Sequence, residues 1–130
     1  MPTPTLDAFG IVVTDMAKSL AFYRALGLTF PDGADTERHV EATLPGGIRL
    51  MFDTVEVVRS FSEWEPPTGG HRMGLAFQCD SAADVDAVYA DITAAGYTGK
   101  KAPWDAFWGQ RYAQLADPDG TPVDLYAPLG

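Results

Sequence analysis

The residues best suited to chemistry are gathered in one stretch, Trp104-Asp105-Ala106-Phe107-Trp108-Gly109-Gln110-Arg111-Tyr112, closed soon after by Asp117-Pro118-Asp119-Gly120. Two of the three tryptophans fall there, beside Phe107 and Tyr112. Indole and phenol rings carry broad apolar faces and one polar edge. In a Pro- and Gly-bounded segment they can fill a corner of the core or form a wall on which flat molecules stack. Their clustering favours the wall. Covalent chemistry has less support, because Cys79, His39 and His71 form no nucleophile–base–orienter pattern. One thiol and two histidines do not make a Cys/His zinc site. No catalytic residue is assigned, and neither a metal nor another cofactor is expected.

The elements that must position these residues can be read along the chain. At 130 residues with net charge −9, the sequence is expected to form one domain, 1–130, with nucleic acid and anionic membranes unsuited as partners. The acidic surface would favour cationic or amine-bearing ligands. A single cysteine, no signal-like N-terminus and no long apolar run point to a cytoplasmic protein without a membrane span. Residues 9–13 read as a buried strand, 16–26 as a helix capped by Thr14 or Asp15 and closed at Gly27, and 28–30 as a second strand. Residues 39–44 and 48–53 follow as strands around the Pro45-Gly46-Gly47 turn. The second half repeats this order, with a strand at 73–79 and a helix at 82–94 on which Val85, Val88, Tyr89 and Ile92 form one apolar stripe. Strands at 97–100, 109–116 and 122–127 complete it. The expected fold class is α+β, with two βαβββ modules at 5–53 and 71–128 joined by a linker at 54–70 that holds about one helical turn.

The run Val13-Thr14-Asp15-Met16-Ala17-Lys18-Ser19-Leu20-Ala21-Phe22-Tyr23 with Leu26-Gly27, and Asp117-Pro118-Asp119-Gly120 with Val123-Asp124-Leu125, resemble the vicinal oxygen chelate superfamily. That superfamily includes glyoxalase I, extradiol dioxygenases, fosfomycin-resistance enzymes and bleomycin-resistance drug-binding proteins. The resemblance implies paired modules whose curled mixed sheets form a U-shaped cup with helices on its outer face, usually in a homodimer. It also implies four metal-ligand positions, on the first and last strand of each module, which fall at Ala8, Arg49, Gly74 and Asp124. A methyl, a hydrogen and a fixed cation cannot ligate a metal, and one carboxylate does not hold a hard divalent ion. His39 and His71 read as surface or turn histidines.

Strand parity within such a cup turns Ala8, Gly10, Val12, Gly74, Ala76 and Gln78 inward, and turns Phe9, Ile11, Val13, Leu75, Phe77 and Cys79 toward the helices. Small residues where ligands would stand should leave volume for a guest. Arg49, Met51, Asp53, Pro122, Asp124 and Tyr126 share the inner face, with Gln114, Tyr112 and Trp108. Arg49 could pair internally with Asp53 or Asp124 or contact a ligand, and Trp64 could close the cup or sit at a dimer seam. Pro103-Trp104 and Trp108-Gly109-Gln110-Arg111-Tyr112-Ala113 are similar to the non-catalytic mitomycin-binding branch of the superfamily, as are Gly46-Gly47-Ile48-Arg49-Leu50, Asp53-Thr54-Val55-Glu56 and Gly69-Gly70-His71-Arg72. The expectation is therefore a homodimeric, non-enzymatic protein that sequesters a small planar aromatic antibiotic. Its site would comprise Trp64, Trp104, Trp108, Tyr112, Gln114, Arg49, Met51, Asp53, Gln78 and Asp124. The alternatives are a metal-dependent enzyme of the same superfamily, using His39, His71, Asp124 or Glu41, and a protein–protein module with a vestigial cup.

Overall fold

The computed structural model describes residues 2–3 and 5–130, and the chain divides into two compact units, Met1–Pro66 and Pro67–Gly130. The boundary falls within the Pro/Gly-rich stretch expected to link the modules. Both sheets are mixed, so the α+β class stands. Among the described residues no helix is long and apolar enough to cross a membrane.

In the first unit β1 (Ala8–Val13) runs parallel to β3 (Arg49–Thr54), which pairs antiparallel with β2 (His39–Thr43), giving the order β1-β3-β2. Helix α1 (Met16–Ala25) begins at Asp15, whose carboxylate accepts the Lys18 amide at 3.1 Å. It buries Met16, Leu20, Phe22 and Tyr23, with the Tyr23 and Phe52 rings 5.2 Å apart, so the Leu50/Phe52 side of the sheet is its core side. The strand expected at 28–30 does not form. The Leu28 amide bonds back to the Tyr23 carbonyl across Gly27 (φ +100°), Pro31 has no N–H, and too few donors remain for a ladder. Phe30 serves the core instead, edge-on to Phe52 at 5.5 Å. The helical turn expected after residue 54 is a full helix, α2 (Val55–Phe61), capped by the Thr54 hydroxyl.

The second unit has the complete expected order. Its sheet runs β4-β7-β6-β5, from β4 (Leu75–Gln78), β5 (Thr98–Ala106), β6 (Gln110–Ala116) and β7 (Pro122–Pro128), with β4 parallel to β7 and the other pairs antiparallel. Helix α3 (Ala82–Ala94) spans the expected residues and buries Val85 and Ile92. Ala113, Leu115, Val123, Leu125 and Ala127 are buried on the sheet face that meets α3, because Arg111 in the same row bonds Asp86 of that helix at 2.9 Å. Strand β5 continues to Ala106, past the expected end at Lys100, because register shifts on either side of Lys101 accommodate Pro103. Trp104 is thus a strand residue, and the β5–β6 loop is only Phe107-Trp108-Gly109, with Gly109 at φ +90° as a tight three-residue hairpin needs.

Candidate ligand-binding site

The open face of the second sheet carries the aromatic cluster. Register places Tyr112 opposite Tyr126 and Trp104, Gln114 opposite Asp124, Ala76 opposite Asp124 and Gln78 opposite Tyr126, all on the side away from α3. Trp108, at the hairpin tip, folds over this row: its ring lies 5.3 Å from Tyr112 at 79° and 6.1 Å from Trp104 at 89°. Trp104 and Tyr112 are also edge-to-face (5.5 Å, 70°), whereas Tyr112 and Tyr126 stack at 27°. The surface is therefore a herringbone of indoles and phenols, not a flat wall. Lys101 covers one Trp104 face, its Nζ 3.9 Å from the ring centroid. The Trp108 indole N–H donates to Gln110 Oε1 at 2.8 Å, yet the residue remains 48 % exposed, and Phe107 beside it is 97 % exposed. Trp104, Trp108, Tyr112, Gln78, Gln114 and Asp124 thus share one face; parity predicts this for all but Trp104, which joins them through the extension of β5.

The polar feature of that face is Asp124. Its Oδ2 accepts the Tyr112 hydroxyl at 2.5 Å, a diagonal cross-strand contact within a tyrosine's reach. Burial, and then the bond to Asp124, push the Tyr112 phenol up to about 12, so it stays a neutral donor across the working pH range. Asp124 Oδ1 is buried, and among the described residues no donor reaches it.

Arg49, Met51 and Asp53 lie on the open face of the first sheet, in register with Ala8, Gly10 and Val12 of β1 and with Thr43, Glu41 and His39 of β2. The expected pairing of Arg49 with Asp53 or Asp124 is corrected here: Arg49 bonds Asp7 (2.5 Å) and Glu41 (2.8 Å). His39, read as a surface or turn histidine, opens β2 and is held on both ring nitrogens, Nδ1 against Asp53 at 2.5 Å and Nε2 against Glu41 at 2.7 Å. Two carboxylates need two N–H donors, so this geometry belongs to the imidazolium, and hydrogen bonds to Glu41 and Asp53 raise the His39 pKa. Hydrogen bonds from His39 and Arg49 hold the Glu41 carboxyl below its ordinary range. Sequence reasoning had the signal for this ladder: the Pro45-Gly46-Gly47 hairpin fixes a register that sets His39 across from Asp53.

One further expectation changes. A Cβ on Gly74 would meet Pro122 at 3.2 Å, so this glycine permits close packing and leaves no volume, whereas a Cβ on Gly10 would meet nothing within 4 Å. Trp64 lies against the end of α2, its carbonyl accepting Arg59 Nε at 3.3 Å and its ring 6.0 Å from that guanidinium. Cys79 is half-buried, and burial, then Asp84 and Asp80, raise its thiol pKa, which suits an inert residue.

Paired α+β units with mixed sheets define a known class of protein. Residues 5–125 match the Glyoxalase/Bleomycin resistance protein/Dioxygenase superfamily, and the chain belongs to it. Among its relatives, "Uncharacterized protein YaeR" of Escherichia coli K12 is 30% identical over 118 residues, covering 89% of this chain and 90% of that one. A glyoxalase/bleomycin resistance protein/dioxygenase family enzyme from Burkholderia phytofirmans superposes with a TM-score of 0.79 at 24% identity, over 97% of this chain and 100% of that one. A lactoylglutathione lyase from Agrobacterium tumefaciens does so at 0.67 and 20% identity, over 98% and 96%. These two structures share the fold.

The divalent metal of the superfamily's enzymes does not fit the residues found at the four positions. Ala8 offers a methyl, Gly74 no side chain and Arg49 a cation already held by Asp7 and Glu41. Asp124 is a possible donor, with one oxygen engaged by Tyr112.

Proposed function

We propose that this chain is a non-catalytic binding protein that sequesters a planar aromatic compound of the mitomycin or bleomycin kind, acting as a homodimer. The observation that carries the reading is the herringbone of Trp104, Trp108 and Tyr112 on an open sheet face, with Trp108 half in water. A ring left so exposed adds little to folding, and its value lies in what it can cover. The misfit between the superfamily's metal and Ala8, Arg49 and Gly74 supports binding without conversion. Exposed Phe107 and Leu129 flank the same hairpin, the Leu129 amide bonding the Gly109 carbonyl, and a second copy covering them would explain their exposure.

The test is a tryptophan-fluorescence titration with mitomycin C and bleomycin, with and without EDTA, alongside sedimentation analysis of oligomeric state. Saturable quenching, unchanged ligand, indifference to EDTA and a dimer are expected. Sequestration acts stoichiometrically, so binding must be tight. Near-stoichiometric metal in the purified protein, lost together with turnover of the ligand, would replace this reading with a metal-dependent enzyme.

A further inference from the structure

We propose that Asp124 Oδ1 is the anchor for a positively charged N–H group on the guest, so that the ligand class is planar aromatic amines and protonated ring nitrogens, not neutral or anionic ring systems. This deepens the binding reading above and rests on it. A buried carboxylate oxygen without a donor is uncommon in folded proteins and is costly to leave so. Asp124 Oδ1 is such an atom among the described residues. The neighbouring groups do not answer it. Ala76, across on β4, has only a methyl, and the Tyr112 hydroxyl is already engaged by Oδ2. Gln114, opposite on β6, makes no hydrogen bond to Oδ1 either.

The charge on the other sheet face differs in this respect. There Arg49, His39, Glu41 and Asp53 satisfy one another in a continuous ladder. Among the described residues Asp124 bonds no cation, only a neutral phenol. Oδ1 is covered in the free chain, so binding must displace the side chains over it; a donor that does so would complete the carboxylate and lie beside the stacked rings of Tyr112 and Tyr126, whose faces favour a cation. The net charge of −9 steers such a ligand inward and repels an anion.

The probes are 9-aminoacridine and acridine, which share one flat ring system but differ in charge at about pH 8, titrated by fluorescence and calorimetry against wild type and Asp124→Asn. Wild type is expected to bind the cation at least about tenfold more tightly, and Asp124→Asn to erase that preference. Equal binding of the two probes by wild type, or a preference that survives in Asp124→Asn, overturns the anchor and leaves the stacking surface standing. Failure of both probes to bind overturns the anchor and the stacking surface together. The comparison within wild type needs no variant to fold.

Discussion

His39 offers a perturbation whose sign and size follow from geometry. Its two nitrogens face Glu41 and Asp53, and its side chain is 44% exposed, so each contact is worth about 0.5 kcal/mol after solvent screening, or roughly 1 kcal/mol together. The folded pKa lies above the ordinary histidine value of 6.5, so this stability is fully present below 6.5 and is lost as pH rises through the folded value. Glu41 has the opposite sense: its depressed pKa supplies stability above 4.5 that disappears as pH falls through its folded value. The ladder is therefore strongest between about pH 5 and 6.5. Replacing His39 with Gln should lower Tm by about 4 °C near pH 6 and by about 1 °C near pH 9, measured by differential scanning calorimetry at low salt. Proton NMR, with His71→Ala for assignment, should show His39 titrating above 6.5. A wild-type-to-variant gap that is the same at both pH values, or a His39 midpoint at or below 6.5, refutes the ladder.

Trp108→Ala removes the half-exposed ring and should weaken binding of a planar ligand by about 2 kcal/mol, roughly thirtyfold in Kd, while Trp64→Ala leaves titration curves unchanged; undiminished binding by Trp108→Ala removes the stacking surface. An alkaline spectrophotometric titration should show a phenol ionising near 12 that is lost in Tyr112→Phe and shifted down in Asp124→Asn, and a Tyr112→Phe curve unchanged in that range would contradict the Tyr112–Asp124 contact. Gly99→Ala should cost about 1–3 kcal/mol in chemical denaturation, because its Cβ would press on Tyr89 Cζ at 2.8 Å and Thr93 Cγ2 at 3.0 Å; a neutral result would show that α3 yields easily there.

Much of the second unit was legible because its signals are local and agree. Ser81 caps α3, Asp117-Pro118-Asp119-Gly120 turns the chain, and the period of two then assigns Gln114, Asp124 and Tyr126 to one face without knowledge of the fold. The residues at 28–30 were misread because strand propensity says nothing about whether an amide is already engaged, and Leu28's is, by the helix cap. Trp104 was misplaced in a loop because Pro103 normally ends a strand, whereas here register shifts absorb it. Alternation puts Arg49 and Asp53 on one face, but their partners Glu41 and His39 come from the neighbouring strand and appear only once register is counted.

The two open faces show why residue type alone does not identify a binding group. Arg49 and Asp53 looked as suited to holding a ligand as Asp124 did, yet each is answered by a fixed opposite charge, and recruiting either would break an existing pair. Asp124 is a carboxylate with one oxygen oriented by Tyr112 and the other buried with no donor among the described residues. A ligand that uncovers it gains a charge-assisted bond without breaking an ion pair. The rings around it supply area but no direction, since any flat molecule covers an indole. Selectivity among flat molecules must therefore come from the polar group left unanswered, and on the aromatic face Asp124 Oδ1 is that group.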